Sequence, residues 1–165
     1  MELPKRKPLR LPDYDYSGPG AYFVTICTHD RRCILSRIPV GEGLAPPAVE
    51  LSPVGQCVKE QVLALPKRYP SVHIDNYAIM PNHVHLLVSF DPGSGGASPS
   101  PTLSDVVRVR KSLSTRLSRE RLGELPLWQR SFHEHVIRSE RDYREIWEYI
   151  DANPARWVAD RYYAQ

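Results

Sequence analysis

His83 and His85 stand one residue apart in the run Asn-Tyr-Ala-Ile-Met-Pro-Asn-His-Val-His-Leu-Leu-Val that spans 76–88. In an extended strand alternate side chains share a face, so both imidazoles point one way while Val84, Leu86 and Val88 point the other. Two neutral imidazoles on one face are able to share a metal ion, although so short a motif, taken alone, is more often a half-buried polar pair on a sheet. A second pair, His133 and His135 with Glu134 between them, is the natural rival, and its more polar flanks weaken its metal reading. Near the C-terminus Tyr149 and Asn153 are four residues apart, about one helical turn, so a phenol and an amide address a single point beside the sheet. Each piece answers a demand of one reaction. A tyrosyl oxygen can hold a broken DNA backbone as an enzyme-linked phosphodiester. A metal on His83 and His85 would polarise a nonbridging phosphate oxygen. Asn153 would complete the set with a side-chain oxygen and leave positions open for phosphate and water. Ligand softness alone leaves zinc and copper as open as magnesium and manganese.

The elements that must position these groups are legible from periodicity and punctuation. Ala21 to Thr28 alternates with β-branched enrichment and reads as a first strand. Pro39 to Pro47 is a loop or hairpin tip, with Val49 to Leu51 returning from it. Ser52-Pro53 supplies an N-cap and a first-turn proline, and Val54, Val58, Val62 and Leu65 give an amphipathic helix of about three turns. Ser71 to Met80 and His83 to Phe90 read as strands joined through a tight turn at Pro81-Asn82. On the next helix Leu103, Val106, Val107, Leu113 and Leu117 share one arc, expected to be core. Arg108, Lys111, Arg116 and Arg119 share the opposite arc, a candidate phosphate track. The stretch from Trp128 to Arg138 reads as a further strand, in which His135 and Arg138 are candidate DNA contacts. A last helix runs from Ser139 to Asn153, stopped by Pro154, with Tyr143, Ile146, Trp147 and Ile150 facing the core. Tyr149 lies about 110° off that stripe.

Composition bounds the rest. A chain of 165 residues fits one core, read as a single domain over 20–165 behind a flexible basic arm at 1–19, with a flexible internal linker at 91–101. A net charge of +3 is compatible with a phosphate-rich partner and does not demand one. Three cysteines without a CxxC pair make a disulfide framework or zinc ribbon improbable and set a reducing cytoplasm as the default. No apolar run is long enough to span a bilayer, so a membrane partner is not expected.

Together the pieces resemble the single-tyrosine transposases of the HUH superfamily (histidine, hydrophobic residue, histidine), in particular the REP-associated tyrosine transposases and their insertion-sequence relatives. The resemblance runs through Tyr14-Asp-Tyr16 and Tyr22-Phe-Val-Thr25, Met80-Pro-Asn-His-Val-His85, Trp128, His135-Val-Ile-Arg138, and Tyr149-Ile-Asp-Ala-Asn-Pro154 with Trp157. It implies an α+β domain, ferredoxin-like or RRM-like, with an antiparallel sheet and helices packed on one face. It implies His83 and His85 as metal ligands on a central strand, Asn153 as the third ligand, Tyr149 as nucleophile, and magnesium or manganese as the ion. The implied substrate is single-stranded DNA beside a hairpin, cut through a 5′-phosphotyrosine link and rejoined by another 3′-hydroxyl, by a monomer or a homodimer. Two rival functions fit parts of the pattern. A hairpin-binding module of the same fold without transposition activity would use the same basic helix, and a metal-dependent hydrolase would dispense with Tyr149.

Overall fold

The computed structural model describes residues 20–39, 48–92, 101–123 and 126–164; the basic arm and most of the internal linker lie outside them. Strand β1 (Gly20–Cys27) is followed by a 3-10 turn at His29–Arg31, two short strands β2 (Ser36–Arg37) and β3 (Glu50–Leu51), and helix α1 (Pro53–Arg68). Strands β4 (Val72–Ile79) and β5 (His83–Phe90), helix α2 (Leu103–Leu122), strand β6 (His133–Ile137) and helix α3 (Glu140–Ala152) complete the order, ending in a 3-10 segment at Pro154–Ala159. The main sheet is antiparallel in the order β4-β5-β1-β6. β2 and β3 form a separate pair, the expected return of Val49 to Leu51.

One face of the sheet carries the larger core, in which Tyr22, Val24 and Ile26 of β1 and Val84, Leu86 and Val88 of β5 meet α1 and α2. Residues of the opposite parity, Cys27 and Leu87 among them, pack with Ile150 and Trp157 on the other face. The helical layer expected on one face is thus α1 and α2, while α3 crosses the opposite side, where the histidines point. No helix of the described residues is long and apolar enough to cross a membrane.

Helix starts follow the sequence. The Ser52 hydroxyl accepts from the Gly55 amide, Thr102 and Asp105 form a reciprocal capping box, and the Ser139 hydroxyl accepts from the Asp142 amide. α2 ends on Gly123 at φ 71°, a left-handed position suited to glycine. The first turn of α1 lies so close to the chain at Leu35 that a Cβ on Gly55 would sit 1.9 Å from the Leu35 carbonyl oxygen. Gly55→Ala is therefore expected to destabilise by about 3 kcal/mol or more, because backbone has to move; urea denaturation measures it, and a loss below about 1 kcal/mol would show that the segment yields easily.

Two helix faces differ from the periodic expectation. On α2 the buried positions are Leu103, Val106, Val107, Arg110, Ser114 and Ser118, while Leu113 and Leu117 are only partly covered. The stripe rotates because Ser114 and Arg110 are drawn inward by Trp128, whose indole donates to the Ser114 hydroxyl (2.9 Å) while the Arg110 guanidinium stacks on its ring (4.8 Å). On α3 only Ile150 is fully buried; Tyr143 and Ile146 are partly covered and Trp147 is 37% exposed. The expected long strand from Trp128 shortens to His133–Ile137, with Trp128 making an isolated bridge to Thr28.

Candidate active site

The two-residue turn Pro81-Asn82 delivers β5 with its histidines inward. The Met80 amide donates to the His83 carbonyl (2.9 Å) across that turn, and the Leu35 amide donates to the Pro81 carbonyl (3.0 Å). His83 and His85 are both buried, with Nε2 atoms 3.1 Å apart.

Their other ring nitrogens are held. The Asn82 side-chain nitrogen donates to the carbonyls of Tyr162 (2.7 Å) and Arg31 (3.4 Å), which only accept, so its oxygen is the atom that faces His83 Nδ1 at 2.8 Å. His83 Nδ1 must then carry the proton, and Nε2 presents a lone pair. His85 Nδ1 lies 2.8 Å from the Thr25 hydroxyl, which donates or accepts equally well. Thr25 thus supports either tautomer of His85: Nε2–H donating to His83, or a bare Nε2 beside it when a cation lies between them. Burial, reinforced by His85 and Arg31, pushes the His83 pKa down to about 2, and burial together with Arg161 takes His85 down to about 3. Both imidazoles are therefore neutral, the state a metal ligand requires.

Around this pair the C-terminal segment and α3 close in. The Tyr162 and Trp157 rings lie 4.6 Å and 6.1 Å from the His83 ring, and Asp160 places a carboxylate oxygen 3.9 Å from His83 Nε2. His83, His85 and Asp160 have one ligand atom each within 4.8 Å of one another. Tyr149 approaches from α3, with its ring 5.5 Å from that of His85 and 5.8 Å from that of Phe23. Asn153 is 2% exposed, and its side-chain oxygen is buried without a hydrogen-bond partner among the described residues. An orphaned buried acceptor is costly unless something occupies it. His83, His85 and Asp160 make a donor set that fits a divalent cation, two neutral imidazoles and a carboxylate, and the Asn153 oxygen is a further buried acceptor on the segment that covers this face of the sheet.

The same geometry places the remaining predicted residues. His133 and His135 are exposed on the edge strand β6, on the same sheet face as His83 and His85; His135 pairs with Asp142 at 2.8 Å, and neither belongs to a metal-ligating group among the described residues. Arg108 is exposed beside Asp105 (3.6 Å), Arg116 pairs with Glu120 (2.9 Å), and Lys111 donates to the carbonyls of Gln129 and Arg130. Arg119 and Arg138 are exposed. Thr25, Asn82 and Asp160 escaped the sequence reading. Asn82 was legible only as a turn residue, and Asp160 sits beyond the helix that carries the tyrosine, with no motif to mark it.

A family model for IS200-like transposases matches residues 58–153, more than half of the 165. The chain belongs to the IS200-like transposase family. The matched stretch of this transposase contains His83, His85, Tyr149 and Asn153 and stops before Asp160. An uncharacterized protein of Haemophilus influenzae is 31% identical, with 96% of this chain and 93% of that protein covered. Among solved structures, a REP-associated tyrosine transposase bound to a REP hairpin has TM-score 0.64 and 23% identity, over 89% of this chain and 73% of that one. A candidate transposase from Deinococcus radiodurans R1 has TM-score 0.50 and 21% identity, over 86% of this chain and 95% of that one. Those two likenesses bear on the fold, a four-stranded antiparallel sheet with helices packed on it.

Proposed function

We propose that residues 20–165 act as a single catalytic domain, a metal-dependent endonuclease and strand transferase for single-stranded DNA that cuts beside hairpins. The observation that carries this reading is the approach of Tyr149, 37% exposed, to a pair of neutral, lone-pair-bearing histidines. A purely DNA-binding descendant of the family would have no use for that juxtaposition, and a water-activating hydrolase would have no use for the tyrosine.

In this reading the Tyr149 oxygen attacks the scissile phosphorus, a P–O bond forms, and the bond to the 3′-oxygen breaks. The departing strand leaves as a 3′-hydroxyl, taking up a proton to match the one lost by the phenol, and the 5′-phosphate remains on the tyrosine. Attack by a different 3′-hydroxyl reverses the step and joins new ends without an added energy source. His83 and His85, with Asn153 as third ligand, would hold a magnesium or manganese ion. When bound, that ion neutralises charge building on the nonbridging oxygens. Asn82 and Thr25 fix the imidazoles in orientation, as partners behind metal-binding histidines generally do. Arg31 and Arg161, within 5.4 Å and 4.9 Å of the Tyr162 ring, add positive charge at the centre's rim.

Incubation with hairpin-bearing single-stranded DNA and manganese is expected to give a protein–DNA adduct that survives denaturing electrophoresis. Replacing His83 and His85 together by alanine is expected to abolish both the adduct and manganese binding by calorimetry, while circular dichroism still reports a folded chain. A wild-type protein that binds the DNA tightly and yields no adduct would instead support the binding-only reading.

A further inference from the structure

Positive charge concentrates in a second place, on the other side of the sheet from the histidines. Residues 126–130 run beside α2 and with it enclose a groove of about 750 Å³. Arg116, Arg119, Arg130 and His29 line it, with the hydroxyl side chains Ser112 and Thr115, and no carboxylate is among the described lining residues. Arg116 shares its charge with Glu120, whereas neither Arg119 nor Arg130 is ion-paired among the described residues. The wall is built rather than loose. Lys111 donates to the carbonyls of Gln129 (2.5 Å) and Arg130 (3.0 Å), the Gln129 amide donates to the Cys27 carbonyl (3.0 Å), and Trp128 is pinned between Ser114 and Arg110. Lys111 thus acts as a latch while keeping its charge in the groove.

The groove opens at the same end of the sheet as the catalytic pair. Cys27, which anchors residue 129, is the β1 partner of His83. The turn between them bends sharply, with Asp30 and Arg31 at φ 54° and 53°, a left-handed conformation that costs non-glycine residues on the order of 1 kcal/mol each. That turn sets His29 in the groove and Arg31 against Tyr162 on the histidine side.

We propose that this groove is a track for the sugar-phosphate backbone of the DNA beyond the cleavage site, which passes from the His83/His85 centre round the His29–Arg31 edge. The assignment rests on the strand-cutting function proposed above. The lining favours a polyanion over a single small anion, because its cations and hydroxyls are spread along α2 from Ser112 to Arg119, about 10 Å of helix. It favours phosphate over bases, because Trp128, the one Phe, Tyr or Trp among the described lining residues, is buried and offers no stacking face.

The test is the salt dependence of equilibrium binding, measured by fluorescence anisotropy on the full chain with a hairpin DNA bearing long single-stranded flanks. Arg116, Arg119 and Arg130 reach the surface, so replacing them leaves the core intact. The triple alanine variant R116A/R119A/R130A is expected to flatten the slope of log K against log salt by about 2, at roughly 0.7–0.9 for each phosphate no longer neutralised. The triple lysine variant is expected to keep most of the slope. An oligonucleotide too short to leave the catalytic centre is expected to bind wild type and the alanine variant alike. An unchanged slope in the alanine variant, or an equal loss with the short oligonucleotide, overturns the groove assignment. Binding needs no chemistry, so a wild type that forms no adduct while its slope responds to these variants would defeat the proposed catalysis and leave the track standing.

Discussion

Tyr149→Phe is expected to eliminate the covalent protein–DNA adduct, with a loss on the order of 10⁴-fold or more, as removal of a nucleophile produces in other covalent mechanisms. The substitution deletes one oxygen and keeps the ring that meets His85 and Phe23 edge-on. Because the residue is 37% exposed, the effect on stability is expected to stay below about 1 kcal/mol. DNA affinity is expected to change by less than about threefold, since one solvent-facing hydroxyl carries little of a phosphate-dominated interaction. Loss of adduct at constant affinity separates chemistry from binding. Nine tyrosines are present, and exposure decides among the nearest. Tyr162 touches the His83 ring but is 5% exposed, and burial, with Cys27 and Tyr149 adding to it, raises its hydroxyl pKa; DNA would reach it only after the C-terminal segment moved. If Tyr149→Phe still forms the adduct while Tyr149→Phe/Tyr162→Phe does not, the nucleophile is Tyr162 and the cover over the histidines opens during catalysis.

Sequence pattern carried the parts of this architecture that are local. The Ser52, Thr102 and Ser139 caps, the Pro81-Asn82 turn and the His83 to Phe90 strand all depend on a few neighbouring residues with strong backbone preferences. Parity alone put His83 and His85 on a common face, and the wheel angle of Tyr149 is what brings its ring to His85 once α3 lies across that face. What parity could not give is which face α3 covers, and so the two-sided arrangement of helices is a tertiary result. The same holds for the buried stripe of α2. Leu113 and Leu117 are the better hydrophobes, yet a tryptophan on another segment recruits Ser114 and Arg110 instead. Asn82 and Asp160 were hidden for a related reason: each matters through partners far away in sequence, Tyr162 for the first and His83 for the second.

The burial of His83 and His85 also governs the response to acid, where the second large effect is expected. In the folded protein the histidines titrate at about 2 and about 3, against 6.5 for an unburied imidazole. The folded values lie below the unfolded one. Above about pH 6.5 neither state binds the protons and the full stability is present. As pH falls from there toward 3, the unfolded chain gains two protons that the folded chain refuses, and stability declines by about 1.4 kcal/mol per pH unit for each histidine. At pH 5 the pair together would have cost on the order of 4 kcal/mol, a large share of the roughly 5–15 kcal/mol typical of a domain. His73 works in the opposite direction through its hydrogen bond with Asp91, but it sits at the exposed surface, where solvent screens the effect. Urea denaturation in chelator at pH 7.5, 6 and 5 is expected to show a steadily falling midpoint, and His83→Gln/His85→Gln a much flatter one. Trp157 reports how the protons enter, because it is buried against the His83 ring. A red shift of its fluorescence that precedes loss of helix signal would mean that residues 154–164 lift away first. Equal midpoints at pH 7.5 and pH 5 would show that the imidazoles are not held neutral in the folded state, and the case for a preformed metal-binding pair would weaken with them.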